Sequence, residues 1–568
     1  MISNTEKKDT ERIKKALLEI LLKKTPPKEF SIHIEDLVNL LTDALMVGEY
    51  RISLEEKSIP NGILGKGWPE DHIRYLTKSG WAEGNKSPMV LSGKYLSWRR
   101  WSEEINDITN ELISKIVLAA PQKSTDVVHL SKRSDNLNPE QKQALEEVKR
   151  SGLLLISGGP GTGKTHTIIG ILEIALTLNP DIKIGLAAPT GKATRRLKDT
   201  LIEAINVSEN RKLEKLKAVP CKTLHRWLEY KKNYYGKSED NPLSIDLLVI
   251  DEMSMVNLSL IKAVLKALPI RSQLILVGDK NQLPPIDSGS IWHEIQLNDV
   301  LKRFNGSAIN LKKVYRNRGS IASLSRSLST KGVKFFWEEV ERLKSQDNVK
   351  IYLTKSEQIP TELVLKIKAH LSSLDNILQG LIKNFSRNEN NPIGISEEDK
   401  DQYNLLFKKL EELMVLSPRK NGLFGVNYIH NYFLGSKYKD DIRNLPQGTP
   451  VICGENQLEL GLSNGDIGVV VGSKENARLI FRCSKEGEEQ KSTMIHPARV
   501  KNIQPAIAIT IHKSQGSEAK EVILFWPDNS NESENFIEGE ECNLNYEKRL
   551  LYTAITRAKL SLHLIRKR

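Results

Sequence analysis

The sequence predicts an α/β protein of two parallel-sheet units, with a mainly helical N-terminal region and a small β-barrel inserted in the second unit. Three observations predict it. Apolar runs GLLLIS, IGLAAP, LLVIDE and QLILVGD recur with helical segments between them, as buried parallel strands require. A second set of strands begins at LMVLSPR and resumes at AIAITIHKSQGS and VILFW. Between these, residues 444–501 carry short strands with turn signals, GTPVICGE, SNGDIGVVVG and ARLIFRC, which read as the barrel.

Residues 1–120 form the N-terminal region. RIKKALLEILLKK has an amphipathic pattern with a basic face, and IHIEDLVNLLTDALMVGEY has apolar residues at helical spacing. Trp68, Trp81, Trp98 and Trp101 cluster here. Such a cluster is either core or a surface for docking a partner protein. The polar stretch 121–136 reads as a linker, 137–330 as the first sheet unit, and 331–568 as the second. Within the second unit, 331–402 is helical and charged with no assignable chemistry, and the acidic stretch 528–541 reads as a surface loop.

Bulk properties narrow the function classes. With 568 residues the chain is too long for a single core. No run of about eighteen apolar residues is present, and the N-terminus MISNTEKKDTERIKK is charged, so neither a spanning helix nor a secretory signal is expected. Cys221, Cys453, Cys483 and Cys542 form no CxxC pair, so they read as reduced thiols of a cytoplasmic protein rather than a metal site. The net charge of +13 favours a polyanionic partner, although solubility alone would also account for it.

Gly158-Gly159-Pro160-Gly161-Thr162-Gly163-Lys164-Thr165 is a phosphate loop between the strand LLLIS and the helix HTIIGILEIALTL. Its glycines let the chain curl so that N–H groups point inward, with the helix dipole behind them. Lys164 is placed to reach the β- and γ-phosphates of ATP, and the Thr165 hydroxyl to help hold Mg²⁺. Asp251 and Glu252 close the strand LLVI, where Asp251 would hold Mg²⁺ and Glu252 polarise the attacking water. Gln282, in GDKNQLPP after the next strand, is placed to sense the γ-phosphate.

The order of LNPEQKQAL, GGPGTGKT, APTGKATRRL, TLHRWL, IDEMSM, GDKNQLPP, VYRN, TIHKSQGSE and YTAITRAK resembles superfamily one DNA helicases, and within them the RecD family. SPMVLSGKYLSWRRWSEEI also resembles the segment before the motor in that family, so the likeness spans nearly the whole chain. The resemblance implies two RecA-like motor domains, an SH3-like barrel insertion, and ATP in the cleft between the motor domains. It implies adenine recognition by Gln141, γ-phosphate contact by Arg316, an arginine finger at Arg557, and nucleotide contacts by Gly516 and Glu518. It also implies contacts to single-stranded DNA from Thr190, His225, Thr510 and His512. By themselves the two histidines could equally be structural.

Further expectations follow from the family. The chain would be a 5′-to-3′ ATP-dependent helicase, the alpha subunit of a bacterial RecBCD-type exodeoxyribonuclease V that unwinds duplex DNA ends for recombinational repair. Its partners would be RecB, RecC and DNA, with no membrane. No separate carboxylate cluster suggests a nuclease centre, so cutting would belong to RecB. The alternatives are a standalone RecD-like helicase, which would carry a longer N-terminal region, and a non-motor regulatory ATPase subunit. An RNA helicase is disfavoured only by the family match.

Overall fold

The computed structural model describes residues 4–55, 59–60, 62–120, 137–207, 211–231, 234–285, 289–315, 319–343, 348–354, 358–385, 397–436, 441–472, 474–483, 491–527 and 540–567. The expected linker, Arg316 and nearly all of the acidic stretch lie outside the described residues. The chain divides into two units. The first comprises Met1–Pro189, Thr194–Tyr315 and Glu532–Arg549; the second comprises Thr190–Ala193, Arg316–Asn531 and Leu550–Arg568.

The N-terminal region is not wholly helical. Helices α1 (Asn4–Lys24), α2 (Ile32–Met46), α3 (Glu70–Ser79) and α4 (Arg99–Leu118) accompany strands β1 (Arg51–Ser53), β2 (Met89–Ser92) and β3 (Tyr95–Trp98). The three strands form an antiparallel sheet in the order β1-β3-β2. The turn between β2 and β3 uses Gly93 at φ +57°, a conformation open to glycine at little cost. Trp81 and Trp98 are buried in a local core with Leu37, Leu41, Leu76 and Leu96, which decides for the core reading of those two tryptophans.

Helix α4 leaves that core and enters another. Ile108 and Leu112 are buried in the same cluster as Leu153, Leu155, Leu248, Leu274 and Phe304 of the first parallel-sheet unit. The Ile116 carbonyl accepts a hydrogen bond of 3.0 Å from the Gly152 N–H, immediately before the phosphate-loop strand. Lys115 Nζ donates to the Pro269 carbonyl at 3.2 Å. Residues 1–120 are therefore tied into the first parallel-sheet unit.

The first parallel sheet holds β4 (Leu153–Gly158), β5 (Ile184–Ala188), β6 (Cys221–Thr223), β9 (Leu247–Ile250), β10 (Gln273–Gly278) and β11 (Ala308–Leu311), with a small hairpin β7 (Tyr230–Lys231) and β8 (Tyr234–Tyr235) outside it. The order is β11-β4-β10-β9-β5-β6, and every pair is parallel. Strands β4, β5 and β9 are buried along their whole length, because helices cover both faces. Helix α5 (Pro139–Glu147) begins at a capping box: Asn138 Oδ1 accepts from the Gln141 N–H at 2.8 Å, and Gln141 Oε1 accepts from the Asn138 N–H at 3.1 Å. Helix α6 (Lys164–Leu178) is apolar nearly all round and packs against this sheet.

In the second unit β12 (Val349–Thr354), β13 (Leu413–Ser417), β19 (Ile509–Thr510), β20 (Ala519–Trp526) and β21 (Ala558–Lys567) form a parallel sheet ordered β12-β21-β20-β13-β19. Strands β14 (Pro450–Cys453), β15 (Ile467–Val471), β16 (Arg478–Cys483), β17 (Lys491–Ile495) and β18 (Ile503–Pro505) form an antiparallel sheet ordered β17-β16-β15-β14-β18. The helices of 331–402, which carry no chemical motif, have a packing role. Leu374, Leu378 and Leu381 of Thr361–Phe385, with Leu406 and Phe407 of Glu397–Leu410, bury Val469, Val471 and Ile480 of the antiparallel sheet. The second unit also takes in Ser320–Lys331, ahead of the expected boundary at 330, because this helix packs on Val333–Glu341 and β21.

Candidate active site

The phosphate loop joins β4 to α6 at the carboxyl end of the first sheet. Gly161 and Gly163 have φ of +71° and +88°, so the curl rests on residues that reach the left-handed region freely. A Cβ on Gly163 would stand 2.5 Å from Gln141 Nε2, so glycine also lets α5 approach the loop. Thr162 Oγ1 donates to the Gly159 carbonyl at 2.8 Å, and Lys164 Nζ donates to the carbonyls of Gly158 at 2.7 Å and Gly159 at 3.1 Å. The ammonium is thus held over the loop. Thr165 follows it in the first turn of α6, where unpaired N–H groups face an anion.

Gln141 lies at the same loop. Tyr315 donates its N–H to the Gly161 carbonyl at 2.8 Å, and its hydroxyl lies 3.5 Å from Gln141 Oε1. The expected adenine-recognising residue therefore combines a helix cap with a place beside the phosphate loop.

Asp251 and Glu252 follow β9, one strand removed from β4 across β10. Glu252 adopts φ +56°, a costly conformation for a residue with a side chain, and donates its N–H to Asp251 Oδ1 at 2.8 Å. Burial raises the Asp251 carboxyl to about 6, and the Glu252 charge adds to this; the Lys164 and Arg196 charges act against it. A half-buried carboxylate raised in this way favours a cation beside it. Arg196, not singled out from the sequence, belongs to APTGKATRRL, where a second basic residue next to Arg195 was its only signal.

Gln282 is 3% exposed, and its Oε1 has no hydrogen-bond partner among the described residues. Buried polar atoms are nearly always satisfied, so an orphaned carboxamide oxygen points to a ligand or water it serves. Its backbone carbonyl lies 2.9 Å from His293 Nε2, a residue that carried no motif signal in the sequence.

The other expected residues are distributed as follows. His225, in Leu224–Trp227 of the first unit, packs edge-on against Tyr230 at 5.4 Å between centroids, and burial holds its imidazole below the usual range. Thr190 belongs with the second unit, where its Oγ1 accepts from the Ala193 N–H at 3.2 Å. A Cβ on Gly516 would stand 3.6 Å from that same Oγ1, so the structure brings Thr190 and Gly516 together. Thr510 ends β19, and the His512 imidazole is pushed down to about 4 by burial. Glu518 pairs with Lys559 at 3.5 Å. Arg557 is 2% exposed, with Nε on the Thr553 carbonyl and Nη1 on the Ser517 carbonyl, each at 3.0 Å. Its guanidinium is anchored by backbone rather than extended from the surface.

Residues 141–288 match the model of an AAA domain, and residues 505–565 match that of a UvrD-like helicase C-terminal domain. The chain is 30% identical over 540 residues to the RecBCD enzyme subunit RecD of Buchnera aphidicola subsp. Acyrthosiphon pisum, covering 87% of this chain and 82% of that one. It is 34% identical over 158 residues to the ATP-dependent RecD2 DNA helicase of Deinococcus radiodurans, which spans 28% of this chain and 20% of that one. Among solved structures, Bacteroides Pif1 bound to ssDNA matches 75% of this chain and 92% of its own at 16% identity, with a TM-score of 0.39.

Proposed function

The chain belongs to the family of the RecBCD enzyme subunit RecD, ATP-dependent DNA helicases of superfamily one, and we propose that it moves 5′ to 3′ as the alpha subunit of a RecBCD-type nuclease at duplex DNA ends. RecB and RecC would be its partners, and cutting would fall to RecB. The single observation that carries an active motor is the Lys164–Asp251–Glu252–Gln282 constellation at the carboxyl edge of one sheet, with a strained Glu252 and an unsatisfied Gln282.

In this reading the N–H groups at the start of α6 and the Lys164 ammonium bind the phosphates of ATP, and Gln141 takes the adenine. Thr165 and Asp251 offer a hydroxyl and a carboxylate, hard oxygen donors that suit Mg²⁺, and the raised Asp251 carboxyl fits a cation site. Bound Mg²⁺ would neutralise charge developing on the phosphates. Glu252 orients the attacking water and Gln282 reports the γ-phosphate. Arg316, Arg557, Gly516 and Glu518 would also act on the nucleotide, and Arg557 would exchange its carbonyl partners for phosphate oxygens to do so.

Thr190, His225, Thr510 and His512 contact the sugar–phosphate backbone of single-stranded DNA. A neutral imidazole at His225 or His512 supplies hydrogen bonds rather than charge. The five-stranded antiparallel sheet is an SH3-like insertion, and the N-terminal region docks the partner subunits. The long coverage of RecD, against 20% of RecD2, supports the subunit over the standalone enzyme.

The test is ATP-driven unwinding of duplexes with a 5′ or a 3′ single-stranded tail, by the chain alone and with RecB and RecC. Unwinding from the 5′ tail only is expected. Lys164→Gln should abolish DNA-stimulated ATP hydrolysis with the fold intact; turnover near that of the parent would refute the site, and unwinding from the 3′ tail would refute the polarity.

A further inference from the structure

The Gln282 loop is held in place by groups outside it. His293, in the short helix Ile291–Ile295, is half-buried, and its Nε2 sits 2.9 Å from the Gln282 carbonyl oxygen. Burial first, and the nearby Arg549 charge second, hold this imidazole well below its usual range. The Gln282 and Lys280 backbones both act on this ring, and a neutral imidazole whose proton is on Nε2 donates it to the Gln282 carbonyl.

The same loop is pressed by the N-terminal region. A Cβ on Gly48 would fall 2.8 Å from Pro284 Cγ, and one on Gly289 would fall 2.7 Å from both the Gly48 carbonyl and the Tyr50 ring. Both glycines have positive φ, +79° and +61°. Residues 48–50 thus touch the chain at Pro284 and at Gly289. Arg51 Nε pairs with Glu294 Oε2 at 3.3 Å, which ties the N-terminal region to the His293 helix, and Glu49 Oε1 pairs with Arg549 Nη1 of the helix Glu540–Ile555 at 3.2 Å.

We infer that His293 is a positioning residue for ATP hydrolysis, fixing the Gln282 backbone through its Nε2–H while residues 48–51 of the N-terminal region brace the same loop. The N-terminal region then sets turnover as well as docking. Gln282 can serve the γ-phosphate only if its backbone holds still; without the hydrogen bond, the orphaned carboxamide oxygen loses its aim. This rests on the reading of Gln282 as the γ-phosphate sensor.

The experiment measures DNA-stimulated ATP hydrolysis by the full-length chain carrying His293→Leu, His293→Gln, His293→Asn or Gln282→Ala. A glutamine amide nitrogen reaches the position of Nε2, whereas an asparagine amide nitrogen reaches only that of Nδ1. His293→Leu and His293→Asn should lower kcat about tenfold, near 1.4 kcal/mol of transition-state stabilisation, with KM for ATP within about twofold. His293→Gln should recover most of the loss. Equal rates for the Gln and Asn variants, or parental kcat in His293→Leu, would overturn the inference. If His293→Leu fails to fold, the Gln–Asn pair still decides. Gln282→Ala separates the two layers: slow Gln282→Ala beside a fast His293→Asn sinks only the His293 inference, and a fast Gln282→Ala sinks the sensor reading beneath it.

Discussion

Leu112→Ala tests whether the N-terminal region is a detachable module or part of the motor. Leu112 is 0% exposed and lies on α4, yet its neighbours are Leu153 and Leu155 of the phosphate-loop strand and Phe304. Removing a buried leucine side chain costs roughly 2–5 kcal/mol, from lost transfer energy and the cavity left behind. Against a domain stability of roughly 5–15 kcal/mol, that is a large share. For a unit of over 300 residues, about 3 kcal/mol lowers the midpoint by roughly 4 °C. The assay heats the full chain in steps and measures residual DNA-stimulated ATP hydrolysis beside near-ultraviolet circular dichroism. Leu112→Ala should lose hydrolysis and tertiary signal together at the lower temperature. A variant whose ATPase inactivates at the parental temperature would show that α4 merely leans on the motor, and the shared core would be refuted. Removing residues 1–120 should then cost ATPase as well as partner assembly, because α4 departs with them.

Asp251→Asn should stabilise the nucleotide-free chain at pH 7.5 and do so less at pH 5. A folded carboxyl raised to about 6 from 3.8 opposes folding once ionised, and that penalty is lost as pH falls through 6; equal effects at both pH values would refute the buried charge. Affinity for single-stranded DNA should fall steeply with salt, because each neutralised phosphate releases about one counterion. His225→Gln and His512→Gln should weaken binding without changing that slope, since both rings are neutral; a slope reduced by about one would mean that they carry charge.

The motor's sheets were legible because their signals are local. A continuously buried parallel strand must read as an unbroken apolar run, and LLLIS, LLVI and LILVG do. The phosphate loop announces itself because its glycines occur at fixed spacing. The N-terminal strands were missed because β2 and β3 are four residues each, too short for period two to stand out, and only the intervening Ser92-Gly93-Lys94 turn marked the hairpin. Strand β12 was hidden differently: it is a sheet-edge strand of mixed polarity, VKIYLT, amid charged helices.

The residues that sequence reasoning could not find act through surfaces that only folding creates. His293 shares no spacing with Gln282; it matters because a short helix returns its imidazole to the Gln282 carbonyl. Gly48 and Gly289 are 241 positions apart, yet each would clash if given a side chain, which is the mark of two backbones in direct contact. Helix α4 is the same case on a larger scale. Its apolar face, Ile105, Ile108, Leu112 and Ile116, reads from sequence as an ordinary amphipathic stripe, and nothing in that stripe says which core it fills. It fills the core of the first unit while Trp98 just before it and Trp101 in its first turn pack on the N-terminal core, so one helix joins the N-terminal region to the strand that ends at the phosphate loop.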